Sequence, residues 1–274
     1  MSKIAYDPVK DSFASLIRNS RKLRRLFYFL LDLFFLRSWH IRRILKKHAS
    51  KINKMGEWYL LDAGSGFGQY DRFLLNTFSR VKIDSVDVKT QYLNDNRDFF
   101  EEEIRKGKIA FKEADLLTFS SEKLYDFIIC IDVLEHIKED ERVIKNLSNT
   151  LREGGLFLMH SPSHYSEEDA DEDDTFVGEH ARTGYSKADI EKKMMEADLL
   201  PVKTHYTYGR WGRLSWILTI KWPMILFTKF GMAAALILLL YYPLVLPLSL
   251  LMNYLDLHTK NEKGNGIYAI GRKI

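Results

Sequence analysis

Three glycines stand at alternate positions in Asp62-Ala63-Gly64-Ser65-Gly66-Phe67-Gly68, directly after the apolar run Trp58 to Leu61. Glycine lets a backbone turn sharply and approach a ligand closely. A helix that starts there offers free N–H groups to an anion. Asp87, 23 residues after Gly64, ends a second apolar run and is spaced to hold ribose hydroxyls. Loop and acid together read as a nucleotide-type site, with nicotinamide and flavin dinucleotides still open. Further along stand Asp115, then Asp132, Glu135 and His136 in "DVLEHI", then His160, His164 and His180. Carboxylates and imidazoles are the side chains that move protons near neutral pH.

Taken in order, "LLDAGSGFG", "DSVDV", "KEADL", "YDFIICIDVLEHI" and "LREGGLFLMHSP" resemble the class I S-adenosylmethionine-dependent methyltransferases. The resemblance runs from about 57 to 208 and resumes at 266–273. It implies that Gly64, Gly66 and Gly68 face the methionine part of S-adenosylmethionine, that Asp87 binds the ribose, and that Asp115 and Leu116 meet the adenine. Asp132 would start a loop beside the methionine end. Three features set the chain apart from a dinucleotide enzyme: the spacing GxGxG, the acid Asp62 two residues before the first glycine, and the second acid Asp115.

Transfer of an activated methyl group needs positioning and a deprotonated acceptor. A hydroxyl acceptor also needs a base or a metal. "DVLEHI" resembles the ubiquinone-pathway O-methyltransferases and the small-RNA 3′-end methyltransferases. In those families an acid-x-x-Glu-His cluster and a later histidine, here His180, are associated with a divalent metal. Asp132 stands where they usually carry Glu, and no metal ligand is assigned. Glu135, His136, His160, His164 and His180 are the candidate catalytic residues. The acidic run Glu167–Asp174 reads as a solvated loop or a lid over the pocket.

The elements that must position these residues alternate. Strands are expected at 58–64, 82–88, 108–114, 125–132, 155–161 and 202–208. Helices are expected at "DRFLLNTFS", "NDNRDFFEEEIRK", "EDERVIKNLSNTLRE" and "SKADIEKKMMEAD". Such alternation predicts an α/β fold, a parallel sheet with helices on both faces. The resemblance adds a Rossmann-like seven-stranded sheet whose last strand, "GIYAIGRK", runs antiparallel.

Of 41 basic and 37 acidic residues, 14 and 3 fall in residues 1–54, which leaves 27 and 34 for the remainder. A basic end on an acidic body suggests a face that meets an anionic surface. The short apolar run Leu26–Leu36, bracketed by arginines and lysines, reads as an interfacial helix. Nucleic acid is disfavoured, because the cations interleave with apolar runs and form no polar groove. The lone Cys130 excludes an internal disulfide.

Residues 231–255 carry no charge over 25 residues, long enough to cross a bilayer. Both ends of this insertion return to one sheet, so a single crossing is excluded by topology. Pro243 and Pro247 are expected to break its second half, which favours a shallow or re-entrant hairpin over two crossings. Trp211, Trp216 and Trp222 suit an interface, and Arg210, Arg213, Lys221 and Lys229 suit lipid phosphates.

The sequence therefore predicts a basic helical region at 1–54, a methyltransferase domain at 55–209 plus 263–274, and a membrane-associating insertion at 210–262. The expected function is methyl transfer to a lipid or lipid-linked small molecule at the cytoplasmic face of a membrane. The alternatives are a quinone-type O-methyltransferase with a divalent metal and a non-catalytic membrane scaffold. Oligomeric state is not legible.

Overall fold

A computed structural model describes residues 20–166, 181 and 184–274. His180 and the acidic run Glu167–Asp174 lie outside the described residues. Two helices lead, α1 (Arg21–Phe34) and α2 (Leu36–Met55). The sheet layer follows as β1 (Trp58–Ala63), α3 (Gln69–Thr77), β2 (Val81–Asp87), α4 (Thr90–Phe99), α5 (Glu101–Arg105), β3 (Ile109–Glu113) and β4 (Tyr125–Ile131). It continues with α6 (Asp140–Asn149), β5 (Leu151–Pro162), α7 (Lys187–Glu196) and β6 (Leu199–Thr207). A helical excursion, α8 (Arg210–Trp216), α9 (Trp222–Phe230) and α10 (Ala234–His258), precedes β7 (Gly266–Lys273).

The strand order is β3-β2-β1-β4-β5-β7-β6, with β7 antiparallel to both neighbours. The central strands β1 and β4 are near-continuous apolar runs, as strands covered on both faces must be. One face packs Trp58, Leu60, Ile83, Phe127 and Leu158 under α2, α3 and α4. The other packs Leu61, Ile128, Phe157 and Ala269 under α6 and α7. Parallel pairing in the registers Asp62↔Ser85 and Asp62↔Ile129 brings the carboxyl ends of β1, β2 and β4 level. That edge is where open α/β sheets bind ligands.

The expected helix 139–153 ends at Asn149, because Leu151 to Gly155 join β5 through a register shift opposite Tyr125 and Phe127. The expected single helix at 94–106 is two helices that meet at Phe100.

The proline expectation is corrected. α10 runs unbroken through Pro243 and Pro247. Its 25 residues span roughly 37 Å at about 1.5 Å each. The opposing limb is α8, a π-helical segment at Ile217–Lys221, and α9. Pro223 has no N–H to give the Thr219 carbonyl four residues back. Tyr242 on α10 donates its hydroxyl to that carbonyl at 3.0 Å, and Tyr241 donates to the Leu218 carbonyl at 2.8 Å. Polar contacts between the limbs thus satisfy the backbone that the π segment disturbs.

The base of this hairpin is pinned by Asp256, which is fully buried. Its carboxylate accepts the Gly212 N–H at 3.0 Å and the Asn261 amide at 3.2 Å, and lies 3.3 Å from His40 Nε2 on α2. A Cβ at Gly212 would come within 2.4 Å of Leu36 and 2.9 Å of Asp256. Asp256→Ala leaves these buried donors unmatched, at a cost of about 1–3 kcal/mol per group. The expected result is a lower Tm and faster proteolysis at the hairpin base, with Asp256→Asn losing less. An unchanged Tm would show that the contact carries no stability.

Candidate functional site

Gly64, Gly66 and Gly68 all have positive φ, at 88°, 50° and 69°. A Cβ on Gly64 would stand 2.3 Å from Val133 Cγ2, and one on Gly68 3.0 Å from the Phe100 ring. The loop is thus wound tightly over the end of β1. Asp87 is buried at the end of β2. Its two oxygens accept the N–H groups of Gly66 and Lys89, each at 2.9 Å. Asp87 therefore ties the glycine loop to the second strand.

Asp115 follows β3 and accepts the Leu117 N–H at 2.9 Å, while its side chain stays exposed. Leu116 is buried next to it, and Asn146 of α6 holds the turn through the Leu116 and Leu117 carbonyls at 3.0 and 2.9 Å.

Beneath the loop lie two buried carboxyls, Asp62 and Asp71. Burial pushes both upward, Asp71 to about 7, and the neighbouring Asp71 charge raises Asp62 further.

At the end of β4, Asp132 adopts φ 53°, a left-handed conformation that non-glycine residues rarely take. One carboxylate oxygen is 2.5 Å from His160 Nδ1, and the other is paired with the Arg37 guanidinium. His160 Nε2 lies 3.3 Å from the Thr207 hydroxyl. Burial, then the Arg37 charge, holds His160 well below the usual histidine range. The neutral ring donates Nδ1–H to Asp132 and accepts from Thr207, which fixes its tautomer. Thr207 and His160 are buried, whereas the Asp132 side chain is 27% exposed. Of the three, Asp132 is the one whose side chain stays partly exposed.

The other candidates lie elsewhere. Glu135 is buried and accepts the Ser161 hydroxyl at 3.0 Å. His136 is half-buried on the short helical turn Leu134–His136. His164 stacks on Tyr165 at 3.9 Å, beyond the end of β5. Among the described residues no three His, Cys, Asp or Glu side chains are grouped to hold a metal ion. Asp132 and Glu135 are already engaged by Arg37, His160 and Ser161.

Several site residues were invisible as motifs. Arg37 reads in sequence as one of many cations flanking an apolar run. In the fold it reaches Asp132, and its own N–H donates to the Tyr208 hydroxyl at 3.1 Å. Arg24, read as another flank, is buried. It donates to the Phe67 carbonyl at 3.0 Å, to the Asn96 side chain and to the Asp95 carbonyl. Tyr28, one turn on, donates to the same Phe67 carbonyl at 2.5 Å. Burial pushes the Tyr28 hydroxyl up to about 12, so it remains a donor. Only the i, i+4 spacing of Arg24 and Tyr28 hinted at a shared face.

Around the loop, Ser65 Oγ, Tyr70 Oη and Arg37 Nε are buried without a hydrogen-bond partner. Ser65 lies in the glycine loop, Tyr70 at the start of α3 and Arg37 on α2, and the Tyr70 hydroxyl and the Arg37 guanidinium interact. They suit an amino-acid carboxylate, and Asp87 beyond them suits a ribose. The residues present fit S-adenosylmethionine.

Three buried histidines make stability depend on pH. Burial lowers His40, His160 and His205, the last to about 4. An unfolded chain protonates them near about 6.5. Below that value the unfolded state binds more protons, so this stability is present above about 6.5 and lost as pH falls towards 4. Asp62 and Asp71 act oppositely, since the folded state keeps protons that the unfolded state releases, but they are two groups against three. Tm is expected to fall from pH 7 to pH 5; a flat or rising profile would contradict the assignment.

Residues 61–157 match a family described as a methyltransferase domain. A ubiquinone biosynthesis O-methyltransferase from Rickettsia prowazekii (strain Madrid E) is 29% identical over 127 residues, 44% of this chain and 47% of that protein. The match thus spans about half the length of that curated relative. In solved structures, phosphoethanolamine N-methyltransferase 2 from Haemonchus contortus, in complex with phosphomonomethylethanolamine and S-adenosylhomocysteine, superposes with a TM-score of 0.60 at 17% identity. The superposition covers 96% of this chain and 60% of that one. An S-adenosylmethionine-dependent methyltransferase from Clostridium acetobutylicum gives 0.56 at 15% identity, covering 91% and 98%.

Proposed function

The chain carries a class I S-adenosylmethionine-dependent methyltransferase domain, and from that premise we propose that it methylates a lipid or lipid-linked small molecule at the cytoplasmic face of a membrane. The observation that carries the lipid reading is the hairpin. α10 is long and apolar enough to cross a bilayer, and almost none of it is buried in the protein. Leu236, Leu240 and Leu244 are each more than 70% exposed. Soluble proteins avoid apolar patches of that extent. The hairpin leaves β6 and rejoins β7 at the ligand-binding edge of the sheet, so a hairpin dipped into a membrane would return beside the glycine loop.

S-adenosylmethionine supplies a methyl group activated by its sulfonium. Gly64, Gly66, Ser65, Tyr70 and Arg37 would hold its amino-acid end, Asp87 its ribose, and Asp115 with Leu116 its adenine. When bound, the cofactor would give that methyl to the acceptor's lone pair while its sulfur keeps the electron pair of the broken bond, and Asp132 would take the proton the acceptor sheds. His160 and Arg37 hold that carboxylate still. Catalysis here is mostly positioning. A quinone-type acceptor is the second reading, favoured by the similarity to the Rickettsia enzyme; it too would be lipid-linked.

Asp87→Ala removes the acceptor for two ribose hydroxyls and unties Gly66. It should weaken cofactor binding by roughly tenfold or more. Unchanged affinity in titration calorimetry would sink the cofactor placement. The acceptor class is tested with purified protein in nanodiscs of native lipid extract and methyl-labelled cofactor. Label is expected in the organic phase. Label that stays wholly aqueous would overturn the lipid reading.

A further inference from the structure

α1 has two faces with different business. The inner face carries Arg24 and Tyr28, one turn apart, both bonded to the Phe67 carbonyl of the glycine loop. Arg24 also holds Asn96, which donates to the Gly66 carbonyl at 2.9 Å. Phe27 packs edge-on against Phe67 at 5.4 Å. Asp32 accepts the amide of Gln69, the first residue of α3, at 2.9 Å. α1 thus closes over the loop from Gly66 to Gln69.

The outer face carries Leu23, Leu26, Phe29 and Leu30, all exposed. Lys22 and Arg25 stand exposed among them. The face continues into the hairpin, where Phe34 meets Tyr242 of α10 edge-on at 5.6 Å. A single extended residue, Phe35 (φ −94°, ψ 109°), joins α1 to α2. α2 beyond that joint is packed on the sheet through Ile41, Ile44 and Leu45, and it holds the end of α1 through Trp39 and Arg42 on Asp32.

We propose that an anionic bilayer docks on the outer face of α1 and holds its inner face shut over the cofactor loop, so that membrane binding tightens cofactor binding. The occupant follows from two features: an apolar stripe interspersed with cations matches an anionic lipid surface, and the stripe is continuous with the hairpin. The proposal rests on the membrane reading given above. By linkage the coupling is reciprocal: the cofactor must strengthen membrane docking by the same factor.

The test uses the full chain in nanodiscs of neutral phosphatidylcholine and of phosphatidylcholine with phosphatidylglycerol. Affinity for S-adenosylhomocysteine is read by calorimetry. The wild type is expected to bind about fivefold or more tighter on the anionic discs. Leu26→Glu/Phe29→Glu should abolish that difference while the protein still enters discs through its hairpin, because neither residue touches the cofactor loop. Equal affinity on both discs in the wild type would overturn the coupling and leave the membrane reading standing. Failure to enter discs at all would overturn both. If the double variant instead splits a dimer and keeps the lipid response, the face is a self-association surface and the proposal falls.

Discussion

Asp132→Asn is expected to lower turnover about 10²-fold or more while cofactor affinity changes little. The asparagine keeps the size of the side chain and its left-handed backbone position. It keeps an oxygen to accept from His160 Nδ1–H. It loses the negative charge and the lone pairs that would take a proton from the acceptor. Proton transfer by a positioned side chain contributes typically about 10²–10⁴-fold. The split between kcat and cofactor affinity is what separates this role from a structural one. Loss of the cofactor site would move the dissociation constant, whereas loss of the base leaves it and moves kcat. His160→Gln is the companion variant. His160 reaches the pocket only through Asp132, so it is a positioning residue, and its loss should cost less, roughly tenfold on the same scale. If Asp132→Asn turns over at the wild-type rate, the carboxylate serves only to hold Arg37, and His136 or His164 becomes the base to test.

The geometry of the glycine loop and the strand-end acids, the proposed cofactor side, was legible in the sequence because it depends on local pattern. Glycines at alternate positions after an apolar run force the positive-φ loop, and acids at strand ends land on one edge once the strands are parallel. The cluster around Asp132, the proposed acceptor side, was not legible, because it is made by residues distant in sequence. Arg37 meets Asp132 across 95 positions, and Thr207 meets His160 across 47. Nothing in "LRSW" separates Arg37 from the other cations around it. Arg24 is the sharper lesson. A cation beside an apolar run reads as a solvated or lipid-facing flank, yet tertiary packing buries it on a loop carbonyl. Charge counts along a segment do not tell which side of a helix each charge occupies. The prolines misled for a related reason. Pro243 and Pro247 were weighed as local breakers, but the opposite limb of the hairpin packs along α10 and supports it, as neighbouring helices do for proline-containing membrane helices.

That hairpin is the part whose removal should change behaviour most. Its ends lie together: Gly209 and Asn261 are in contact closely enough that a Cβ on Gly209 would meet the Asn261 amide at 2.2 Å, and Asn265 donates to the Tyr208 carbonyl at 3.2 Å. Residues 211–259 can therefore be replaced by a short turn without moving β6 or β7. The resulting chain is expected to be soluble without detergent, to bind S-adenosylmethionine within a few fold of the intact protein, and to show none of the transfer to a membrane-borne acceptor proposed for it. The residues proposed to hold the cofactor, at the ends of β1, β2 and β3 and on α2 and α3, lie outside the deleted segment. What goes is the long apolar surface of α9 and α10. A second variant guards against a deletion that misfolds. Leu240→Glu/Leu244→Glu places charges on the exposed face of α10, at about 2.5–3.5 kcal/mol each if the helix centre sits in hydrocarbon, and leaves the base at Asp256 intact. It should show the wild-type Tm in detergent and reduced vesicle binding. A deletion chain that still methylates a membrane-borne acceptor at the intact rate would separate the hairpin from substrate access. A double-glutamate variant that binds vesicles as tightly as the wild type would place that face of α10 outside the bilayer.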